Sequence, residues 1–444
     1  MGKNIQDHDW LYSFLRHYVD LVLKLSYRTI RYVGKDRIPK DGAIIYAPNH
    51  TNALMDAMVV LAMDSKAKVF VARADIFKNP KIAKILHFLK IMPIMRMRDG
   101  RDEVRKNNET IERAVGVLRD KVPFCIFPEG THQAKYSSLP LAKGIFRIAF
   151  QAQELMSDMP LYIVPIGIRY GNFFRFRSTV RVAAGVPINV AEFRNDCEGL
   201  NEQEQMNAMK TLLEERLQDA IFYIPNDENY DSIYEICAAV VKSRVKRAGR
   251  DMDGRVLRGL EAHFATNKST LKLINRIREE KPEEAQRLLT LGHEASTLRR
   301  DRKISLSSVS VKNPVLSRLL MTLFMIVTLP YNLVALILTL PIKGLCAFLF
   351  TKMKDYAFRN SVRYVVNLVL WPILMIIYSA VAYAVLPWEW ALPITLLLLP
   401  APIIAHEAWR LARLMKSDIR LLCSEELREK YRGIREIIER NDNL

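Results

Sequence analysis

Tyr46-Ala-Pro-Asn-His-Thr-Asn-Ala-Leu-Met-Asp56 is the stretch on which the reading of this chain turns. The apolar run Ala43-Ile-Ile-Tyr-Ala47 reads as a short buried strand, and Pro48-Asn49 ends it. His50 follows at the strand's C-terminal end. Asp56 comes six positions later, where Ala53, Leu54, Ala57, Val60 and Leu61 take up helical spacing. Ligands of open α/β sheets bind outside the carboxyl ends of the strands, so His50 stands where chemistry is usually done. An imidazole titrates near working pH. A carboxylate on its far nitrogen would fix the tautomer and stabilise the imidazolium formed after proton abstraction. A His and an Asp at this spacing also describe an ordinary polar helix entry, and the rest of the chain has to decide between the two.

The 444 residues exceed one ordinary domain, so two or more units are expected. Half the composition is hydrophobic, yet the formal net charge is +18. That pairing argues against a simple soluble enzyme and for a basic surface facing anionic lipid or phosphorylated substrate. Nucleic acid is disfavoured as a partner, because no binding motif for it occurs and the apolar content is high. Cys125, Cys197, Cys237, Cys346 and Cys423 are scattered without CxxC pairing, the pattern of reduced thiols in a cytosol-facing protein. Met1 to Asp9 is polar and no apolar run with a small-residue cleavage site follows, so no cleavable signal peptide is expected.

Outward from the opening stretch, residues 1–33 read as an amphipathic helical arm. Trp10, Phe14, Tyr18, Val22 and Leu25 recur at helical spacing from about Asp9, a plausible N-cap, to Val33. Lys24, Arg28 and Arg31 form a basic stripe on that helix, which suits a membrane interface or packing on the next domain. Residues 34–192 alternate strands and helices. Strands are expected at Lys68–Ala72, Val122–Phe127, Tyr162–Ile168 and Val180–Val186, with helices at Pro80–Lys90, Asp102–Arg119 and Lys143–Glu154 and a short apolar segment at Ile91–Met95. The fold class is therefore α/β, a largely parallel sheet covered by helices.

His50…Asp56, Pro93-Ile-Met-Arg96, Phe127-Pro-Glu-Gly-Thr131 and Val164-Pro-Ile166 occur in the order of four sequence blocks. In this the chain resembles the glycerolipid acyltransferase family, which contains glycerol-3-phosphate and lysophosphatidate acyltransferases. The resemblance covers roughly Lys35 to Val190, and Phe-Pro-Glu-Gly after a buried strand is its most specific piece. Two features depart from the family pattern: five residues separate His50 and Asp56 where four are usual, and His132 follows Thr131 where Arg or Ser is frequent. With Leu139-Pro-Leu-Ala-Lys-Gly144, the longer gap looks like the branch of fungal glycerol-3-phosphate/dihydroxyacetone-phosphate acyltransferases and their bacterial relatives.

Acyl transfer from a thioester to an alcohol needs a base, a stabilised oxyanion and a clamp for the acceptor's charge. His50 is the candidate base and Asp56 its orienter. No Ser or Cys stands as a nucleophile in either motif, which implies direct attack without an acyl-enzyme. The resemblance gives Arg96, with Glu129, Gly130 and Thr131, to the acceptor phosphate. Guanidinium suits phosphate and glycine allows close backbone approach. Glu129, of the wrong charge, fits a role in ordering that loop, and Cys125 fits core packing. A rival reading takes His50, Asp56, Glu129 and His132 as metal ligands, but no tight ligand spacing supports it, and no metal or cofactor is expected.

Residues 193–310 read as a charged helical region opened by a capping box at Asn201 and Glu204. Residues 311–409 are dominated by apolar residues and read as transmembrane hairpins. Leu316–Leu329 and Leu333–Phe350 are short arms that span or re-enter, and Val362–Leu386 and Ala391–Trp409 are long enough to cross. Prolines 372, 393, 400 and 402 predict kinks. Lys352, Lys354, Arg359, Arg363, Arg410, Arg413 and Lys416 flank these segments on what should be the cytosolic side. Residues 410–444 read as a helical tail on that surface. The expectation is an integral membrane enzyme, of the bacterial inner membrane type, with its catalytic domain on the cytosolic face. It would acylate glycerol-3-phosphate or dihydroxyacetone phosphate from acyl-CoA or acyl carrier protein. The alternatives are a lysophosphatidate or other lysophospholipid acceptor, or a non-catalytic lipid-binding membrane protein. The sequence leaves the oligomeric state open.

Overall fold

The computed structural model describes residues 4–94, 103–250, 254–309, 314–353 and 355–442. They form two compact units, residues 1–223 with 349–368, and residues 224–348 with 369–444. The first is built on an eight-stranded sheet: β1 (Tyr27–Val33), β2 (Ala43–Pro48), β3 (Val69–Arg73), β4 (Ile91–Ile94), β5 (Phe124–Cys125), β6 (Leu161–Tyr170), β7 (Ser178–Ala184) and β8 (Ile188–Asn189). The spatial order is β1-β7-β6-β2-β5-β3-β4, with β8 also on β6. Pairings are parallel except β6 with β7 and β6 with β8. This is the largely parallel sheet the alternation predicts.

Both faces are covered, which is why these strands are apolar on both sides. Ile45, Val69, Phe124 and Ile163 pack against α4 (Glu103–Arg119), α5 (Gly144–Leu155) and α7 (Glu202–Ala220). The alternate residues Tyr46, Phe70, Cys125 and Val164 pack with Leu23 of α1 (Trp10–Ser26) and with Met55, Val59 and Val60 of α2 (Leu54–Leu61). This period-2 division is what a doubly covered strand requires. The remaining helices of the unit are α3 (Pro80–Phe88) and α6 (Val190–Asp196).

Several expectations are corrected. Asp9 does cap α1, accepting the Tyr12 N–H at 3.0 Å. The helix stops at Ser26, however, and Tyr27–Val33 is β1, paired in parallel with β7. Lys24 therefore lies on a helix and Arg28 and Arg31 on a strand, so they do not form one helical stripe. Tyr-Arg-Thr-Ile-Arg-Tyr-Val is rich in β-branched and aromatic residues, which favours a strand. The apolar run 122–127 contributes only Phe124–Cys125 as a strand, because Pro123 has no N–H for the ladder. Asn201 and Glu204 form the reciprocal capping box at the start of α7.

The second unit is helical, with α8 (Tyr230–Ala248), α9 (Gly259–Glu280), α10 (Pro282–Asp301), α11 (Leu306–Val309), α12 (Pro314–Val327), α13 (Leu329–Leu338) and α14 (Leu340–Thr351). Then come α15 (Phe358–Val385), which begins in the first unit, α16 (Trp388–Leu398), α17 (Ala401–Leu422) and α18 (Glu425–Asn441). The tail is not a free surface helix. Leu427, Tyr431, Ile434 and Ile438 of α18 are buried, and Tyr431 donates to Glu235 at 2.6 Å, which also pairs with Arg299 at 2.8 Å.

α15 runs 28 residues with a mean hydropathy of 2.2 over its most apolar stretch, long and apolar enough to cross a membrane. Arg318–Val327 with Leu329–Leu338 forms a pair bent by 69°, and Trp388–Leu398 with Ala401–Leu422 one bent by 50°. The first apolar break thus falls at Thr328, with Pro330 inside the first turn of α13 where a missing N–H is harmless. Pro372 and Pro393 lie inside α15 and α16 without ending them, and Pro400 stands at the second bend.

Candidate active site

β2 lies between β5 and β6 and is parallel to both, so the C-terminal ends of all three open on one edge of the sheet. His50 follows β2 there. Its backbone is held from both sides, Asn49 N–H donating to Ile166 O at 3.2 Å and Gln133 N–H to His50 O at 3.2 Å. The chain then turns sharply, and Ala53 takes φ 45°, a conformation that an alanine adopts only when its surroundings enforce it. That turn brings Asp56, in the first turn of α2, back under the imidazole.

His50 Nδ1 lies 2.8 Å from Asp56 Oδ2. The same oxygen accepts the backbone N–H groups of Thr51 at 2.7 Å and Asn52 at 2.6 Å, while Oδ1 accepts the Tyr170 hydroxyl at 2.8 Å. Asp56 is fully buried, and its carboxylate is satisfied by four donors, the His50 N–H among them. The five-residue gap is thus spanned by a turn whose own N–H groups close on the carboxylate. With Nδ1 committed to Asp56, Nε2 is the nitrogen left to face a substrate. The ring is partly exposed and stacks on Phe127 with centroids 4.3 Å apart.

Phe127-Pro-Glu-Gly-Thr131 is the turn beyond β5. Gly130 has φ +63°, a left-handed conformation that favours glycine, and a Cβ there would meet nothing within 4 Å. Its N–H donates to Phe127 O at 3.1 Å. Gly130 and Thr131 are exposed, whereas Glu129 is buried and neither carboxylate oxygen has a hydrogen-bond partner. Burial pushes its carboxyl up to about 8. The His50 and Leu139 N–H groups pull it down, short of full hydrogen-bond geometry, and the Asp56 charge pushes it further up. Arg96 lies outside the described residues.

Five further residues shape the site; Phe127 and His132 lie in or beside a quoted sequence block, whereas Asn49, Tyr170 and Asp355 do not stand out in sequence. Asn49 is buried and continues the β2–β6 ladder through its side chain, accepting Ile168 N–H at 2.6 Å and donating to Ile168 O at 3.1 Å. Phe127 supplies the stacking face. Tyr170 closes the set around Asp56, and its place at the end of β6 is the one signal that could have found it. His132 meets His50 edge-on at 5.3 Å, and its Nε2 pairs at 2.9 Å with Asp355 Oδ2. The Ala357 N–H and the His132 imidazole hold the Asp355 carboxyl below the usual carboxylate range. Nothing in the sequence around 355 marks it as a neighbour of this site.

A doubly covered α/β sheet here carries a buried, fully satisfied carboxylate behind a partly exposed imidazole, an arrangement chemically able to act as a general base. Residues 29–169, from β1 nearly to the end of β6, match the family model described as Acyltransferase. The match lies within the sheet-bearing unit and leaves the helical remainder of the chain uncovered. Among solved structures the chain is similar to the crystal structure of the 1-acyl-sn-glycerophosphate (LPA) acyltransferase PlsC from Thermotoga maritima. The identity is 19%, with 48% of this chain and 83% of that chain covered and a TM-score of 0.35. No curated protein matches this chain.

Proposed function

We propose that the chain is a membrane-bound O-acyltransferase that moves a fatty acyl group from acyl-CoA or acyl carrier protein to glycerol-3-phosphate or dihydroxyacetone phosphate. The observation that carries this reading is the His50–Asp56 pair at 2.8 Å beside the Phe127–Thr131 turn. His50 Nε2 takes the acceptor's hydroxyl proton while the alkoxide oxygen bonds to the thioester carbonyl carbon. Collapse of the tetrahedral intermediate breaks the C–S bond, and the imidazolium returns its proton to the leaving thiolate. Asp56 holds Nδ1–H throughout and stabilises the imidazolium. Arg96 and Thr131 hold the acceptor phosphate, Gly130 lets it approach the backbone, and Glu129 orders the turn. No cofactor is required. The 28-residue α15 and the exposed leucines and isoleucines of α12, α13 and α16 support a membrane location.

The test is mass spectrometry of products from purified full-length protein given palmitoyl-CoA with glycerol-3-phosphate, dihydroxyacetone phosphate or lysophosphatidate. His50→Ala runs beside it. Acylated glycerol-3-phosphate or dihydroxyacetone phosphate is expected from wild type. The variant should lose about 10²–10⁴-fold in kcat, the usual contribution of acid–base catalysis. Product from lysophosphatidate alone would move the acceptor assignment, and undiminished turnover by His50→Ala would remove the base.

A further inference from the structure

The contacts behind Asp56 continue well past the family-matched segment. Tyr170 is fully buried at the end of β6, and its hydroxyl proton is given to Asp56 Oδ1 at 2.8 Å. Its ring packs beside that of the buried Tyr27 at the start of β1. The two rings lie 5.9 Å apart. Tyr27 in turn accepts the side-chain N–H of Asn360 at 3.4 Å, a buried residue of the first turn of α15. An amide NH₂ can only donate, so Asn360 donates to Tyr27. Tyr170 donates to Asp56, and the contact of the two tyrosine rings links the pairs.

We infer that Tyr170, with Tyr27 and Asn360 behind it, is a positioning device for the catalytic pair, so that the active site is completed by residues from the start of α15. Two neighbouring contacts within the same unit support a fixed place for that segment. Tyr364 donates to Val19 O at 3.0 Å, and Arg363 to Phe174 O at 3.3 Å. Tyr170 touches no substrate in this arrangement. It acts through Asp56, holding the carboxylate at the angle that presents its other oxygen to Nδ1. The inference rests on the reading of His50 and Asp56 as the catalytic pair.

The experiment is steady-state kinetics of full-length Tyr170→Phe, Tyr27→Phe and Asn360→Leu, with acyl transfer from palmitoyl-CoA to glycerol-3-phosphate and to lysophosphatidate as the probe reactions. Phe keeps the ring packing and removes only the hydroxyl. Tyr170→Phe should lower kcat about ten-fold or more, the loss of a charge-assisted hydrogen bond, with both KM values within about two-fold of wild type. Tyr27→Phe and Asn360→Leu should give smaller losses in the same parameter. In an Asp56→Asn background Tyr170→Phe should cost nothing further, because the two belong to one unit. If Tyr170→Phe does not fold, Tyr27→Phe and Asn360→Leu decide. Unchanged kcat in the folded variants overturns the inference, and so does a kcat loss that persists in full without the Asp56 carboxylate. Full activity of His50→Ala instead overturns the catalytic pair itself, which keeps the two failures apart.

Discussion

At the residue scale the site is a contrast between two buried carboxylates. Asp56 is met by four donors, Glu129 by none in full geometry, although both sit beside His50. A carboxylate buried without donors pays its desolvation uncompensated, and Glu129 is raised to about 8. Because the folded value lies above the unfolded one, the stability linked to this group is fully present below the ordinary carboxylate range near 4.5 and is lost as pH rises through about 8. Glu129→Gln removes the titration. Its melting temperature should therefore fall less than that of wild type between pH 5 and pH 8.5, the difference reaching a few kcal/mol in stability. Thermal unfolding of both proteins across that window checks this, and parallel curves would mean that Glu129 is ionised and compensated throughout. His50 and Asp56 were legible as chemistry because a strand end, an imidazole and a helix-borne carboxylate coincide within seven residues. Tyr170 and Asp355 were not. One ends an apolar strand, where a tyrosine reads as core, and the other stands far from the dyad in a charged stretch between apolar segments.

At the element scale the decisive feature is that β2 ends two residues before its ladder does. Asn49 supplies the missing rung with its side-chain amide, pairing with both polar groups of Ile168 where a backbone peptide would otherwise continue. This frees the chain to turn at His50 while β6 runs on to Tyr170, and it fixes the distance between the turn and the Asp56 donor. Asn49→Ala leaves a buried N–H and a buried C=O without partners, at about 1–3 kcal/mol each. The expected result is a loss of about 2–6 kcal/mol in unfolding free energy, with kcat falling in the protein that remains folded. Equal stability of Asn49→Ala and wild type in denaturant titration would show that the rung is dispensable. The sheet itself was readable from apolar runs bounded by turn residues. The helix-to-strand change at Ser26–Tyr27 was not, because no Gly, Pro or Asn separates the two and the helical spacing runs on past the true end.

For the whole molecule, the lengths of the apolar helices set how the proposed membrane location would be built. α15 has 28 residues, about 42 Å at the helical rise, ample for a hydrocarbon core of about 30 Å. α16 has 11 residues, about 16 Å, and cannot return alone. α17 becomes basic from Arg410 onward, so its apolar part is Ala401–Trp409, about 13 Å. Of α16 and α17, only the bent pair together has the length of a return crossing, and just past its 50° break the buried Ala401 and Ala405 pack with Ala335 and Trp371. Lys352–Arg363 and Arg410–Lys416 are rich in positive charge while Pro387–Trp390 carries none, which on the proposed membrane location would orient the turn between α15 and α16 away from the cytosol. A single cysteine at position 389 should then react with a membrane-impermeant maleimide only from the outer side of sealed vesicles. One at 356 should react only from the inner side. The exposed Cys423 has to be replaced first, since it would label in both cases. Reaction of both positions from one side would mean that α15, the helix between them, does not cross, and the hairpin would fall with it.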